Sequence, residues 1–275
     1  MAEWFKAHAW KVCVLLKYPG FESLSLRQIY FKIMNKKKQR YLTISYFLRK
    51  LYSIKYLKYF LGQNFLRKKI FKHIYESGYW IDYNVENNQS RSGKGSNVER
   101  ALFLKNSLKL FFQKNKIKNI VDIGCGDFNW MNDLLKEIDY ESYLGIDIVD
   151  SLIKENNQKY GNKKIKFFCK DIVKDDLNFM LKSDFILIRH VFIHLNNSNI
   201  NKVLNKIKNL DFGYIGITSD PKIFKNYDLK SEGRYRDVNL LIEPFNLNNN
   251  YEVINESKNG IIDNVNLNVY SSKLE

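Results

Sequence analysis

Cysteine is scarce in this sequence of 275 residues, and its spacing excludes two classes of protein. The three cysteines, Cys13, Cys125 and Cys169, include no Cys-x-x-Cys pair. Zinc-binding modules and disulfide-stapled secreted domains need paired cysteines at short spacings, so we expect neither a metal site nor a disulfide framework. Unpaired thiols are typical of a reducing compartment, which predicts a cytoplasmic protein.

Long apolar runs are also missing. No charge-free stretch approaches the about 20 residues that a membrane-spanning helix needs. The N-terminal region has no uninterrupted apolar segment leading to a small-residue cleavage site, which argues against a secretory signal. Residues 1–33 resemble the conceptual translation of a reading frame that runs through a transfer-RNA gene, with Met34 as the alternative start. We therefore treat 1–33 as a doubtful N-terminal segment.

Acidic residues are rare in the first quarter of the chain. Residues 1–75 contain 17 Lys and Arg but two acidic residues, whereas residues 76–275 contain 28 Lys and Arg and 27 Asp and Glu. The formal net charge of +16 therefore belongs almost wholly to the N-terminal quarter. Because phosphate binding needs basic residues on the binding face, the nearly neutral remainder predicts no nucleic-acid partner for the main domain.

Residues 34–89 are predicted to form a basic, aromatic helical extension that also serves as a lid. Apolar side chains recur there at helical spacing, at Phe47, Leu51, Ile54, Leu57 and Leu61. Three interpretations stay open. The helices pack on the core with their lysines solvated, or a basic helix makes a peripheral contact with an anionic membrane surface. The third is nucleic-acid binding through lysine and aromatic side chains, for which no recognised RNA-binding module is visible.

The most informative stretch is VDIGCGDFNWM, residues 121–131. A buried strand ending at Ile123 is broken by Gly124 and Gly126, and the apolar run that follows predicts a helix. A second strand pattern then ends at Asp147, 21 positions after Gly126. Strand, glycine turn, helix, strand and acid, in that order, are how an α/β sheet holds a nucleoside. The glycines let the backbone approach the ligand, and the acid takes the ribose hydroxyls.

The turn lacks what a dinucleotide or a nucleoside triphosphate would need. Asn129 stands where the G-x-G-x-x-G fingerprint has its third glycine, and Asp127 places a carboxylate inside the turn, where pyrophosphate would be repelled. The small residues at 91–96 do not have P-loop spacing either. These features suit a ligand that has no phosphate and carries a positive centre.

At these residues the chain resembles the class I S-adenosylmethionine-dependent methyltransferases, whose first motif reads hydrophobic-Asp-hydrophobic-Gly-Cys-Gly-x-Gly. The stretch VDIGCGDF matches through Gly126 and departs at Phe128, where the family has its last glycine. The resemblance covers residues 90–215 well. It implies an α/β fold, a Rossmann-like seven-stranded mostly parallel sheet with helices on both faces, here with a helical N-terminal extension. Residues 90–275 would form the methyltransferase domain, ending in an antiparallel pair of strands.

The resemblance implies that S-adenosyl-L-methionine is the cofactor and that it lies beyond the carboxyl ends of the strands. Asp147 would bind the ribose, and the third predicted strand, which ends in Asp171-Ile172, would contact the adenine through these end residues. The implied cofactor-binding set is Asp122, Gly124, Cys125, Gly126, Asp147, Ile148, Asp171, Ile172 and Arg189. Cys125 is expected to pack inside the turn rather than to act as a nucleophile. An isolated aspartate at a strand end is more often a helix cap, so the role of Asp147 depends on the glycine turn before it.

Two histidines follow the fourth predicted strand, which runs from Phe185 to Ile188, and both are candidate catalytic residues. Methyl transfer runs in line from a sulfonium to a nucleophilic oxygen or nitrogen, so most of the rate comes from positioning. A general base helps where the acceptor is a hydroxyl. His190 is the favoured base, since it lies directly after the strand end. His194 is expected to pack or to cap the start of a helix.

Two groups of residues are expected to bind the methyl acceptor. The first group contains aromatic and small residues before the first strand, Tyr79, Trp80, Ser92 and Gly93, and the second contains the arginines Arg234 and Arg236. Small residues allow a close backbone approach, although the same segment reads equally as a flexible loop that caps the next helix through Ser96 or Asn97. The two arginines match the oxygens of an anionic group, or else form surface ion pairs with Glu232 and Asp237.

The acceptor itself is not encoded in a motif. Abundant Asn, Lys and Ile are typical of a low-GC bacterial gene, which favours a small-molecule acceptor such as a hydroxyl of a sugar or of a nucleotide-linked glycan precursor. Two alternatives stay open, an RNA methyltransferase and a non-catalytic module that binds S-adenosylmethionine.

Overall fold

The computed structural model describes residues 63–81, 90–178, 182–229, 231–248, 250–256 and 265–272. The doubtful segment 1–33 and residues 34–62 of the extension lie outside the described residues, together with the membrane and nucleic-acid interpretations that depend on them. Within the described part of the chain, no helix combines the length and the apolar character that crossing a membrane requires.

Seven strands form one sheet, in the order β3-β2-β1-β4-β5-β7-β6. The first five strands in this order are parallel, and β7 pairs antiparallel with both β5 and β6. The strands are β1 Asn119–Ile123, β2 Ser142–Asp147, β3 Ile165–Cys169, β4 Ser183–Ile188, β5 Phe212–Ser219, β6 Glu252–Asn255 and β7 Asn266–Ser271. The expected mostly parallel sheet with a final antiparallel pair is confirmed.

Five helices accompany the sheet within the described residues. They are α1 Gln63–Glu76, α2 Val98–Asn115, α3 Asn129–Leu135, α4 Asp150–Tyr160 and α5 Asn197–Ile207. Helix α2 begins at Asn97, whose side chain accepts a hydrogen bond from Glu99 N at 3.0 Å, and Asn196 caps α5 in the same way through Asn199 N at 2.9 Å. These caps satisfy amide groups that the first helical turn leaves without partners.

Apolar residues of the central strands bury alternately on the two faces of the sheet. In β4, Ile186 and Ile188 join the core on the side of α5, whereas Phe185 and Leu187 join the core beneath α2. Because side chains alternate along a strand, a strand that is apolar at every position needs helices on both faces. The near-continuous apolar run of β4 therefore dictates a three-layer arrangement.

The register brings three strand ends to one edge of the sheet. Ile123 at the end of β1 is paired with Ile146 of β2 on one side and with Ile188 of β4 on the other. The chain moves outward from β1 through β2 to β3 and then returns to place β4 beside β1, so the strand order reverses between β1 and β4. Such a switch point opens a crevice for ligands at the carboxyl ends of the strands.

The third strand ends earlier than the sequence predicts. Strand β3 ends at Cys169, so Asp171 and Ile172 lie in the turn after it rather than at the strand end. The long segment between β5 and β6 forms turns in its described part, yet it contributes Val238 and Leu240 to the buried core beside α5. These two buried side chains attach the connection between β5 and β6 to the core.

Helix α1 packs on the sheet domain. Ile70 and Ile74 are buried beside Trp80, and Tyr75 is buried against Val149 and Leu152 at the start of α4. The lysines at 68 and 69 are exposed on the same helix. The described part of the basic extension therefore packs its apolar face on the sheet domain and exposes these two lysines.

Candidate functional site

The glycine turn lies at the crevice and is held tightly. Gly124 and Gly126 have φ angles of +77° and +55°, in the left-handed region that favours glycine. The amides of Gly124 and Cys125 both donate to Ile146 O, at 2.7 and 3.0 Å, which fixes the turn to the end of β2. A Cβ atom at Gly124 would lie 2.3 Å from Val191 Cγ2, so a side chain there would displace the segment after β4.

Phe128, which replaces the last glycine of the family motif, keeps the conformation that a glycine would adopt. Its φ angle is +58°, and its ring is buried among Tyr143, Tyr160 and Phe167, with centroid distances of 4.9, 5.1 and 5.0 Å. A left-handed non-glycine residue costs about 1–2 kcal/mol, and each aromatic pair contributes about 0.5–1.5 kcal/mol. The ring contacts therefore offset the backbone strain, and the sequence departure leaves the turn intact.

Asp147 ends β2 directly beside this turn. Its Oδ2 accepts from Gly126 N at 3.3 Å, and its Oδ1 accepts from Val149 N at 3.0 Å. Burial raises the pKa of Asp147 to about 6, and the backbone N–H donors only partly oppose that shift. The hydrogen bond from Val149 N is the helix-capping role that the sequence analysis kept as the alternative for Asp147. The desolvated carboxylate retains acceptor capacity, which ribose hydroxyls would satisfy, and this role remains a prediction.

Asp122 and Cys125 lie below the turn rather than at its surface. The Asp122 carboxylate accepts from Tyr143 Oη at 2.8 Å, and burial raises its pKa to about 7. Cys125 belongs to the hydrophobic core on the α2 side, and burial raises the pKa of its thiol well above the usual value. A thiol that stays protonated is a poor nucleophile, as expected for a packing residue.

The turn after β3 is held by an arginine that the sequence did not single out. Arg67 of α1 donates from Nη1 to both oxygens of Asp171, at 2.7 and 2.6 Å, and from Nε to Glu232 at 2.6 Å. The Arg67 side chain is 2% exposed. Asp171 is therefore engaged by α1, while the neighbouring Ile172 is buried at 8% exposure and Ile148 packs near Tyr75.

The small-residue segment before α2 folds directly onto the glycine turn. Ser92 Oγ accepts from Asp127 N at 2.9 Å and is hydrogen-bonded to Tyr75 Oη. A Cβ atom at Gly126 would lie 2.3 Å from Ser92 Oγ. Burial, together with the carboxylates of Asp127 and Asp147, raises the pKa of Tyr75 well above its usual value, so the phenol stays protonated. Gly93 follows with a φ angle of +98°.

The residues after β4 form the opposite wall of the crevice. Arg189 donates from Nε and Nη2 to Glu256 Oε2 at 2.9 and 2.6 Å, and from Nη1 to Gly95 O at 2.8 Å. His190 has a φ angle of +56°, and its Nε2 lies 3.3 Å from the same Glu256 oxygen. Burial alone would raise the pKa of Glu256, but Arg189 and His190 outweigh it and hold the pKa at about 2.

His194 lies farther out and is packed between aromatic rings. It ends the short 3-10 helix Phe192–His194, before α5, and its ring stacks on Trp80 at a centroid distance of 4.7 Å. Its Nδ1 is 2.9 Å from Arg234 O. Tyr79 packs with Trp80 beside α1. These contacts agree with the expectation that His194 packs, and they bring the segment of Arg234 to the aromatic wall.

The two candidate arginines of the long segment differ from one another. Arg236 Nη2 donates to Leu195 O and Asn197 Oδ1, at 2.9 and 2.7 Å, but its Nε and Nη1 are buried with no hydrogen-bond partner among the described residues. Burial lowers the pKa of Arg236. Arg234 is exposed. The alternative ion pair with Glu232 does not form, because Arg67 occupies that carboxylate.

The structure thus brings Asp147, Ser92 and Val191, the neighbour of His190, against the glycine turn. A second wall is formed by Trp80 stacked on His194, next to the backbone of Arg234. Three residues that contact the predicted site residues were not identified from the sequence, namely Arg67, Tyr75 and Glu256. In the described part of the chain, no three His, Cys, Asp or Glu side chains are grouped to hold a metal ion.

Comparisons with known proteins agree with this geometry. Residues 120–210 match a family model described as a methyltransferase domain. No curated protein matches the chain significantly. Among solved structures, magnesium protoporphyrin IX methyltransferase from Synechocystis PCC 6803, with bound S-adenosylmethionine, has a TM-score of 0.50 at 15% identity and covers 74% of this chain and 97% of its own.

Two further solved structures are similar at lower TM-scores. N-methyltransferase NodS from Bradyrhizobium japonicum WM9 has a TM-score of 0.47 at 14% identity, covering 64% of this chain and 97% of its own. The methyltransferase domain of the bacterial protein CtHen1 has a TM-score of 0.46 at 16% identity, covering 64% of this chain and 100% of its own. These two likenesses carry no argument of their own, and at 15% identity the Synechocystis enzyme shows the fold alone. The family-model match over the glycine turn and strands β1 to β4 identifies a methyltransferase domain, and both findings are consistent with the class I S-adenosylmethionine-dependent methyltransferases.

Proposed function

We propose that this enzyme transfers the methyl group of S-adenosylmethionine to a hydroxyl of a small molecule, such as a sugar or a nucleotide-linked glycan precursor. The cofactor would lie over Gly124 and Gly126, with its ribose on Asp147 and its adenine beside Ile148 and Ile172. The sulfonium methyl would then face the residues that follow β4. We also propose that residues 34–89 act as an extension and lid and that 90–275 are the methyltransferase domain.

The observation that carries the proposal is the placement of His190. Its neighbour Val191 touches the glycine turn, so the imidazole lies at the edge where the methyl group would be presented. A neutral imidazole in this position would accept the proton of the acceptor hydroxyl and later release it to solvent. S-adenosylmethionine, when bound, would supply the methyl group.

The acceptor side is supported by two features of the second wall. The Trp80 and His194 rings stack on each other and are both half-buried, and a sugar ring would pack against the aromatic wall that they form. Arg236 keeps two N–H groups without a partner among the described residues, and charge-assisted bonds to an anionic oxygen of the acceptor would satisfy them. A phosphorylated or carboxylated sugar combines a hydroxyl, a ring and an anionic group in one molecule.

The test is an acceptor screen that follows the release of S-adenosylhomocysteine, run with the wild-type protein and with His190→Ala. A hydroxyl acceptor should be turned over by the wild type, and His190→Ala should lower turnover by about 10²–10⁴-fold while cofactor affinity holds. His194→Ala is the matched comparison and should cost mainly stability.

Four outcomes would contradict parts of the proposal. Full turnover by His190→Ala would mean an acceptor that is already ionised. Loss of turnover in folded His194→Ala alone would reverse the roles of the two histidines. Binding of the cofactor with no turnover across sugars, sugar nucleotides and RNA would favour the non-catalytic module, and turnover on RNA alone would favour the RNA methyltransferase.

A further inference from the structure

We propose that Glu256 is a positioning residue for His190: it accepts the Nε2 proton of the imidazole and thereby leaves Nδ1 as the proton acceptor for methyl transfer. This inference rests on the proposed role of His190 as the base. It concerns a carboxylate that follows β6, far from the glycine motif in sequence and close to the methyl-transfer edge in space.

The geometry around Glu256 is that of a fixed buried carboxylate. Its side chain is 5% exposed, and Oε2 receives two hydrogen bonds from Arg189. Its second oxygen, Oε1, lies 3.3 Å from Thr218 Oγ1, and the same hydroxyl accepts the backbone N–H of His190 at 3.1 Å. Arg189 is itself held by Gly95 O and lies over the Trp130 ring at 5.0 Å. Four contacts therefore hold the Glu256 carboxylate in place beside the imidazole.

The imidazole of His190 approaches this carboxylate through one nitrogen. Nε2 lies 3.3 Å from Glu256 Oε2, while Nδ1 has no hydrogen-bond partner among the described residues. A Cβ atom at Gly95 would lie 2.5 Å from Nδ1, so the absence of a side chain at that position is what lets the ring sit there. The contact to Glu256 is long for a hydrogen bond, as catalytic contacts often are before the substrates bind.

The electrostatics select the tautomer. The pKa of Glu256 is held at about 2, so the carboxylate is ionised and can only accept hydrogen bonds at neutral pH. A neutral imidazole beside it is most stable with its single proton on Nε2, which leaves the lone pair on Nδ1. The left-handed backbone of His190, a strained conformation for a non-glycine residue, fixes the direction in which the ring projects.

The tautomer can be measured directly in the full chain by nitrogen NMR of histidine-labelled protein. The chain has four histidines, and His190→Gln identifies the signals of His190 by their disappearance. In the wild-type protein at a pH where the ring is neutral, His190 should show a protonated Nε2 and an unprotonated Nδ1. A protonated Nδ1 in the wild type would overturn the inference, whatever the activity of His190→Ala turns out to be.

The second arm of the test uses two variants and a control. Glu256→Gln should mix the two tautomers and lower kcat by part of the about 10²–10⁴-fold that a positioned base supplies, with KM and cofactor affinity unchanged. Glu256→Asp, which retains the charge beside Arg189 and shortens the reach to His190, covers the case in which Glu256→Gln does not fold. Glu252→Gln, at a half-exposed position at the start of β6 where the side chain is paired with Lys114, should leave both the spectrum and kcat unchanged.

The two hypotheses fail in different ways. If His190→Ala is fully active, the base assignment fails while the tautomer in the wild type still reports on Glu256. If His190→Ala is inactive but a folded Glu256 variant keeps both kcat and a single Nε2-protonated tautomer, the positioning role of Glu256 is wrong and the base assignment stands.

Discussion

Replacing Asp147 by asparagine should remove a loss of stability that the wild-type protein suffers as the pH rises to neutral, and it should weaken cofactor binding at the same time. Burial raises the pKa of Asp147 from 3.8 to about 6. At 1.36 kcal/mol per pKa unit, this shift corresponds to about 3 kcal/mol of folding free energy lost above pH 6. The Asp147 side chain is partly exposed to solvent. Solvent screening therefore reduces the loss of folding free energy, and we expect about 1–2 kcal/mol.

The sign follows from proton linkage. Between pH 3.8 and about 6 the folded protein binds the proton at Asp147 more tightly than the unfolded chain does, so wild-type stability falls as the pH rises through that window. Asp147→Asn removes this dependence. The variant also replaces one oxygen acceptor by an amide, which costs about 0.5–1.5 kcal/mol at every pH. The pH-dependent part of the difference in stability between the two proteins therefore measures the cost of burying the Asp147 charge.

Denaturant unfolding of both proteins at pH 4.5 and pH 7.5 gives the comparison. The variant should gain about 1–2 kcal/mol relative to the wild type between the two pH values. Calorimetric titration with S-adenosylhomocysteine at pH 7.5 should show binding weakened by about 1.5–3 kcal/mol. The exposed Glu141→Gln is the control and should change neither quantity. A stability difference independent of pH, or an unchanged affinity in a folded variant, would refute the reasoning.

Two further substitutions test the contacts that surround the pocket. Arg67→Met leaves two carboxylates without their buried cation, and removal of one partner from such a group typically costs about 3–5 kcal/mol; denaturant unfolding beside the exposed Lys69→Met checks it, and equal stabilities would contradict it. Gly126→Ala places a methyl group against Ser92 in a left-handed backbone, which should cost at least about 1–2 kcal/mol and weaken S-adenosylhomocysteine binding in the same titration; unchanged affinity would show that the turn lies away from the ligand.

The local parts of the fold were predictable because they depend on neighbouring residues. The apolar runs of β1 and β4, the glycines of the turn and the acid after β2 each carry their own signal in pattern or chemistry. The exception is Phe128, where the sequence breaks the motif and the aromatic cluster around it restores the backbone. That compensation depends on rings from two other strands and cannot be read from the turn alone.

The long-range contacts of the site were not predictable from one sequence. Arg67 and Asp171 are 104 positions apart, and Arg189 and Glu256 are 67 positions apart. Each of these residues is an ordinary surface-type residue in its own stretch of sequence, and its burial follows from how the sheet order brings distant segments together. The lysine-rich surroundings of Arg67 in particular predict a solvated helix face, whereas Arg67 is buried.

A crystal structure of the full chain with bound S-adenosylhomocysteine tests the central claim most directly. The claim predicts one molecule in the crevice between β1 and β4, with its ribose hydroxyls on Asp147 and its sulfur directed toward His190. A nucleoside bound elsewhere, or a ribose that leaves Asp147 without a contact, would contradict it.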